Sequence, residues 1–393
     1  MNYMLIPAGL ILLYFLYLIL EYRANALARR SFLHVIHVNG IRGKTGTCRT
    51  LDAVLRAKYR VFTKTTGTDA AVIDVSGQEM PLKRIGPASI SEQIRIMRRA
   101  RREGAEILVI ECMAVNPVLQ RAAQEQILKA DISVITNVRY DHILDMGETK
   151  EEIAASLSGV IPEKGLLVTA DPEGDRWFGA ACRASGTELI VCPSSGDASD
   201  NIAIARIIAE KLGIEEETFS NRLSQVQEDF GVSRLYKVSG PDGTPYLFLN
   251  LFSVNDPEST EAGLRRVLSE LDRRQASSYA FLYNHRLDRP DRALLFARHF
   301  FPRYTEVPLY LCGPGLSLPA RLFSEAGVKT IIPLPDKSDD ARAFARSSQV
   351  SGLTQSSRIL PNLPEGSLLV GIGNIKGPGY SLIMELDELE GRG

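Results

Sequence analysis

The chain has 393 residues, 45% hydrophobic and 24% charged, with no low-complexity tract; this is enough apolar material for two packed domains and excludes a largely disordered chain. Forty-six basic residues against 47 acidic ones leave a formal net charge of −1, which excludes a general nucleic-acid binder, because neutralising a phosphate backbone takes a clear basic excess. Cys48, Cys112, Cys182, Cys192 and Cys312 form no CxxC pair and keep no metal-ligand spacing with the histidines, so they read as reduced cytosolic thiols, with Cys112, at the end of an apolar run, a buried and inert one.

From Tyr3 to Leu20 the sequence YMLIPAGLILLYFLYLIL carries no charge, about the length a helix needs to cross the hydrocarbon core. Arg23, Arg29 and Arg30 follow it, and no Lys or Arg precedes it. The positive-inside rule then makes residues 1–22 a single-pass anchor in the cell membrane, with the rest of the chain cytoplasmic. Ala24-Asn25-Ala26 resembles a signal-peptide cleavage site, but the basic segment such a peptide needs ahead of its apolar run is missing. A buried core helix is disfavoured because the run has no polar face.

Beyond the anchor, short β-branched runs alternate with amphipathic helical stretches, the pattern of a mainly parallel sheet covered by helices. The expected strands are 33–38, 60–65, 106–111, 132–138, 165–170 and 188–192, with helices over 45–58, 89–103, 117–129 and 149–159 between them. A second series of apolar runs starts near residue 245: PYLFLNLF, SYAFLYNH, VPLYLCG, KTIIPL and GSLLVGIG. The turn-rich stretch Gly231 to Gly243 is the expected boundary. The fold class is therefore α/β: a transmembrane helix, a parallel-sheet domain with a P-loop over 31–232, and a smaller Rossmann-like α/β domain over 245–393.

Directly after the first expected strand stands Asn39-Gly40-Ile41-Arg42-Gly43-Lys44-Thr45-Gly46, leading into a helix. Glycines let the backbone turn so that its N–H groups face an anion, and the helix N-terminus adds a positive dipole end. Lys44 can reach β- and γ-phosphates, and Thr45 can ligate Mg²⁺. The full Walker A pattern would need glycine at Val38, so the match is to a compressed form. A glycine turn with a chance Lys-Thr pair is the bland alternative, and the strand–loop–helix context opposes it.

Two further positions extend this chemistry. Glu111 closes an apolar strand, and His142 follows another in Arg139-Tyr140-Asp141-His142. Open parallel sheets present ligand-contacting residues at such carboxyl ends. With Thr45, a glutamate and a histidine there can complete the shell of a divalent cation whose remaining ligands are phosphate oxygens and water. Singly, Glu111 would more often be a salt-bridging acid and His142 a satisfied loop histidine.

NGIRGKT, KTTGTDA (64–70), ECMAVNP (111–117) and NVRYDHILDMG (137–147), followed in order by NHRLDRPDR (284–292) and VGIGNIKG (370–377), resemble the Mur ligase superfamily and, within it, the PgsB/CapB family of poly-γ-glutamate synthase ligase subunits. The resemblance covers nearly the whole chain. It implies a Mur-ligase-like ATP-binding domain and an ADP-forming ligase that passes the γ-phosphate of ATP to the polymer's carboxylate and then joins glutamate to it, with ATP and Mg²⁺ as cofactors. It gives Lys44, Glu111, His142, Arg234, Arg286 and Arg289 catalytic roles, with Thr45, Glu111 and His142 as metal ligands. It implies that Asn137 and Asp141 shape the metal loop, that Asn201 contacts adenine, that Arg234 reaches the phosphates, and that Asn255, Asp256, Asp288 and Arg292 help to close over nucleotide and acceptor. Small integral-membrane partner subunits and a homo-oligomer are implied as well. The chain departs from the wider superfamily in having no nucleotide-sugar domain, in reading SVNDP in its C-terminal motif, and in offering no assignable modified lysine.

Arg95, Arg98, Arg99, Arg101 and Arg102 crowd one expected helix, after Lys83 and Arg84. Such a cluster can steer an acidic polymer or face solvent or anionic lipid. Two other functions compete with polymer synthesis: another Mur-type glutamate ligase, and a membrane-tethered P-loop ATPase switch, which would hydrolyse ATP regardless of glutamate.

Overall fold

The computed structural model of the chain describes residues 5–66, 70–84, 86, 88–194, 197–224, 234–239, 245–271, 278–334 and 367–390. Its first element is the apolar run, which forms helix α1 (Leu5–Arg30). Every side chain from Leu10 to Leu20 is 37–71% exposed, an arrangement water does not favour and a bilayer does. The helix is long and apolar enough to cross a membrane. It does not end at residue 22, where the anchor was expected to stop, but runs on to Arg30. Ala24, Ala26, Leu27 and Ala28 are strong helix formers, and Asn25 and Ala28 are buried. The Asn25 amide donates to the Ile127 carbonyl at 2.9 Å, and Arg29 binds the Lys129 carbonyl at 2.8 Å and Asp131 at 2.7 Å.

Two compact units follow from the contacts of the chain: Met1–Arg139 with Ile143–Gln227, and Tyr140–His142 with Glu228–Gly393. In the first, the strands are β1 (His34–Asn39), β2 (Val61–Lys64), β3 (Ala71–Ile73), β4 (Glu79–Pro81), β5 (Ile107–Glu111), β6 (Ile132–Ile135), β7 (Leu166–Thr169) and β8 (Glu188–Val191). Their order across the sheet is β4-β3-β2-β5-β1-β6-β7-β8. All pairings are parallel except those of the β3–β4 hairpin. That hairpin has strands of three residues, too short for an alternating pattern to announce them.

The helices of this unit are α2 (Lys44–Leu55), α3 (Glu92–Arg102), α4 (Pro117–Ala122), α5 (Ile143–Met146), α6 (Lys150–Leu157), α7 (Gly174–Ser185), α8 (Asp197–Lys211) and α9 (Glu216–Leu223). Leu51, Val54, Ile204, Ile208 and Phe219 of α2, α8 and α9 pack on Ile36, Val38, Val109 and Val134 of the sheet. Ile96, Met97 and Ala100 of α3 join Ala28, Phe32, Phe62 and Leu108 in a separate core cluster. Each such buried Leu, Ile or Phe contributes roughly 1.5–3 kcal/mol. The helix expected over 117–129 changes pitch: Ala123–Leu128 is a π-turn closed by Lys129 at φ 46°. The wider turn brings Gln124 to the His37 ring at 3.0 Å and to the Ala130 carbonyl at 3.0 Å.

The second unit has strands β9 (Arg234–Ser239), β10 (Pro245–Asn250), β11 (Tyr279–Asn284), β12 (Leu309–Cys312), β13 (Ile331–Pro333) and β14 (Leu368–Ile372), with helices α10 (Pro257–Glu270), α11 (Pro290–His299), α12 (Ser317–Glu325) and α13 (Pro378–Glu390). The sheet order is β13-β12-β11-β14-β10-β9, parallel apart from β9. Strand β9 occupies the middle of the stretch expected to be turn-rich. RLYKVS pairs antiparallel with β10 and buries Tyr236; the rest of Gly231 to Gly243 lies outside the described residues.

Candidate phosphate and metal site

The loop between β1 and α2 turns on two glycines. Gly40 has φ 120°, and a Cβ there would stand 2.1 Å from the Thr136 hydroxyl and 2.7 Å from its backbone nitrogen; Gly43 has φ 83°, and a Cβ there would meet Asn201 Oδ1 at 2.7 Å. Only glycine fits both the dihedrals and the space. Asn137, at the end of the neighbouring β6, clamps the loop in both directions: its Oδ1 accepts from the Arg42 N–H at 3.0 Å, and its amide donates to the Arg42 carbonyl at 3.2 Å. The Ile41 N–H reaches the Asn137 carbonyl at 3.3 Å. Asn39 is buried and donates to Gln120 at 2.7 Å, which fixes the strand end below the loop.

Helix α2 then begins at Lys44 with no side-chain cap, its N-cap residue being Gly43; such a helix end is an anion site, because its first N–H groups lack partners within the helix. The Lys44 ammonium folds back to the Gly40 carbonyl at 2.7 Å and the Ile41 carbonyl at 3.3 Å. The Thr45 hydroxyl donates to Glu111 Oε2 at 3.0 Å, and the Thr66 N–H donates to the same oxygen at 2.7 Å. Glu111 is 2% exposed. A buried carboxylate beside a hydroxyl is a hard-oxygen pair suited to a divalent cation that also takes phosphate oxygens, so Glu111 and Thr45 fit the metal the loop implies. Among the described residues no group of three or more His, Cys, Asp or Glu gathers as an all-protein metal site.

The first unit thus brings together Asn39, Gly40, Ile41, Arg42, Gly43, Lys44, Thr45, Gly46, Glu111, Asn137 and Asn201. Asn201 lies one turn inside α8, which begins at Asp197. Its Oδ1 accepts from the Thr47 hydroxyl at 2.8 Å. Residues 67–69 of KTTGTDA lie outside the described residues.

The other expected site residues belong to the second unit. His142 has φ 52°, and its N–H donates to its neighbour Asp141 at 2.8 Å. Asp141 accepts from Arg289 at 2.5 Å, and Arg289 also pairs with Asp291 at 3.1 Å. Arg286 pairs with Asp288 at 2.5 Å. Arg292 reaches Asn374 Oδ1, and the Asn284 amide donates to the carbonyls of Asn374 and Lys376 at 2.6 and 2.8 Å. Asp256 caps α10, accepting from the Ser259 N–H at 2.8 Å. Asn255 Oδ1 is buried and has no partner among the described residues. Arg234 is exposed on β9, 3.3 Å from Asp387.

Sequence reasoning passed over Lys64. It is fully buried at the end of β2 and pairs with Glu92 at 3.1 Å, which also binds Arg84 at 2.7 Å. Burial pushes the Lys64 ammonium below its ordinary pKa; burial also opposes ionisation of Glu92, but Arg84 and Lys64 outweigh it and hold that carboxyl low. The signal was a lysine closing a strand. Cys112 is buried, and burial raises its thiol to about 11, so it is an inert thiol as expected.

Two family models match, Mur ligase middle domain over residues 38–226 and poly-gamma-glutamate synthase CapB C-terminal domain over 235–389. The chain is 32% identical over 369 residues to PGA synthase CapB of Bacillus subtilis (strain 168), covering 90% of each chain. The chain belongs to the CapB family. At 14% identity the CapB-family chain also shares the fold of MurF from Acinetobacter baumannii, with a TM-score of 0.61 over 94% of this chain and 80% of that one. The folylpolyglutamate synthase/dihydrofolate synthase of Yersinia pestis, complexed with AMPPNP and Mn, matches with a TM-score of 0.58 at 14% identity, over 94% and 92%. The Mur-ligase-like fold expected for this CapB-family chain is therefore present, with the phosphate loop inside the matched middle domain.

Proposed function

We propose that this CapB-family chain is an ATP-dependent ligase that extends poly-γ-glutamate, anchored in the cell membrane by α1 with its two units in the cytoplasm. The observation that carries this is the meeting of Thr45 and Glu111 at 3.0 Å beside Lys44 at the head of an uncapped helix. The chain uses ATP with a divalent metal, and Mg²⁺ is the ion we assign. Bound between Thr45, Glu111 and the phosphates, it would neutralise charge on the oxygens of the transferring group.

Lys44 exchanges its two loop carbonyls for the β- and γ-phosphates, while the N–H groups of the loop and of α2 hold their oxygens. Asn137 keeps the loop open for that exchange by satisfying both backbone groups of Arg42. The polymer's terminal carboxylate attacks the γ-phosphorus, the bond from that phosphorus to the β–γ bridging oxygen breaks, and ADP leaves. The amine of glutamate then attacks the acyl carbon, phosphate departs, and the amine gives up a proton. In the second unit Arg286 and Arg289 are the acceptor-side residues we assign, with His142 as a further metal ligand.

The test supplies membranes containing the chain with ATP, Mg²⁺ and labelled glutamate. Acid-precipitable polymer is expected, with ADP and phosphate formed in step with incorporation and a γ-hydroxamate trapped by hydroxylamine. AMP and pyrophosphate in place of ADP refute the mechanism, and ATP hydrolysis indifferent to glutamate refutes the ligase. A reporter fused to the C-terminus should be active only in the cytoplasm.

A further inference from the structure

Helix α3, EQIRIMRRARR, carries five arginines. Two are engaged within the first unit. Arg99 pairs with Glu103 at 2.8 Å and stands over the Phe62 ring at 5.6 Å. Arg98 donates to the Glu21 carbonyl at 3.3 Å, with the Glu21 carboxylate at 3.8 Å. Arg95, Arg101 and Arg102 are exposed, and among the described residues no acidic side chain pairs with them.

Glu21 is the first charged residue after the apolar run. Arg98 therefore meets α1 at the level where a bilayer's hydrocarbon ends, and α3 is held there. Its apolar face is packed with Ala28 and Phe32, while Asn25 and Arg29 tie α1 to the backbone at Ile127 and Lys129. No flexible tether separates the membrane segment from the first unit. The helix climbs about 1.5 Å per residue, and the headgroup layer adds roughly 5–7 Å beyond the hydrocarbon on each side, so the exposed side of α3 stands at headgroup depth. Arg23, also exposed, lies two residues further along α1.

We infer that the outward face of α3, Arg95, Arg101 and Arg102 together with Arg23, binds anionic phospholipid headgroups and fixes the orientation of the first unit on the leaflet that α1 leaves. Charge complementarity favours this occupant, and a depth within a Debye length of the surface keeps the attraction from being screened away. The site rests on the membrane reading of α1 and is independent of the chemistry at Lys44.

The full-length chain in detergent is titrated with phosphatidylglycerol, with phosphatidylcholine as the neutral control, and bound lipid is counted by native mass spectrometry. The wild type should prefer phosphatidylglycerol. Joint Arg95→Gln, Arg101→Gln and Arg102→Gln should cut that affinity on the order of a hundredfold at low salt, leaving phosphatidylcholine binding, thermal unfolding and glutamate ligation in detergent unchanged. Lysine at the same three positions should retain the preference. Equal phosphatidylglycerol binding by wild type and the Gln variant overturns the site, as does a wild type that binds the two lipids alike. A variant that loses affinity for poly-γ-glutamate but not for phosphatidylglycerol gives the face to the polymer and overturns the lipid assignment. Exclusion of the full chain from phosphatidylglycerol vesicles overturns both the anchor and this site, whereas an inactive wild type that still prefers phosphatidylglycerol strikes the ligase and leaves the lipid site standing.

Discussion

Polar residues gather at the carboxyl ends of parallel strands in both units, yet they are held in opposite ways. In the first, Lys44 binds carbonyls of its own loop and Glu111 accepts two short donors from Thr45 and Thr66, partners that a phosphate or a cation can replace. In the second, Asn284 and Asn374 are both 0% exposed and bind each other's carbonyls at 2.6 and 3.0 Å, with Arg292 closing on Asn374. No incoming ligand can take over those bonds without leaving a buried group unpaired. Residue type alone does not separate ligand handling from scaffolding. The burial of the partner does.

That contrast is sharpest at Lys44. Lys44→Ala should lower glutamate-dependent phosphate release by roughly a thousandfold or more, since the lost contact is with the transferring phosphate, and should leave urea unfolding unchanged. Wild-type turnover in this variant would erase the distinction. The reverse holds for Arg292→Met, which strands Asn374 and weakens the support of Asp141. A stability loss of about 1–3 kcal/mol is expected, and a loss under about 1 kcal/mol would show the cluster to be no scaffold.

A further effect is expected at His37, a ring in the middle of β1 that is fully buried and lowered by burial to about 4, although Gln124 pulls it upward. Its folded pKa is below the unfolded value near 6.5, so the unfolded chain binds the extra proton first. Stability is complete above about pH 6.5 and drains away as pH falls toward about 4, by roughly 3 kcal/mol in all. Thermal unfolding of His37→Gln should lose most of that slope; an unchanged slope would locate the titration elsewhere. The smallest effect is expected for Glu111→Gln, which keeps the shape and removes the charge. The divalent-ion concentration for half-maximal activity should rise on the order of tenfold, and an unchanged metal titration would remove Glu111 from the metal.

The phosphate loop was legible because its determinants are contiguous: a strand, two glycines, Lys44, Thr45 and a helix in one run. The Glu111 partner set was half legible. Its place at a strand end follows from the apolar run before it, but the Thr66 donor depends on β2 lying beside β5, a pairing no local pattern announces. The same limit hid the Lys64–Glu92 pair, 28 residues apart in sequence. The docking of α1 was missed for another reason. Asn25 is held by a backbone carbonyl at Ile127, and a carbonyl leaves no mark in a sequence. Strand β9 was taken for part of a turn because the glycines around it outweigh its six residues.

The five cysteines carry a practical consequence. All are buried, and burial lifts Cys112, Cys182 and Cys192 to about 11. At neutral pH such a thiol is ionised only about once in ten thousand, and the thiolate is the form that reacts with maleimides and iodoacetamides. Two cysteines introduced on exposed helix faces would therefore outcompete these three for spectroscopic probes, so the distance between them can be measured without first removing Cys112, Cys182 or Cys192.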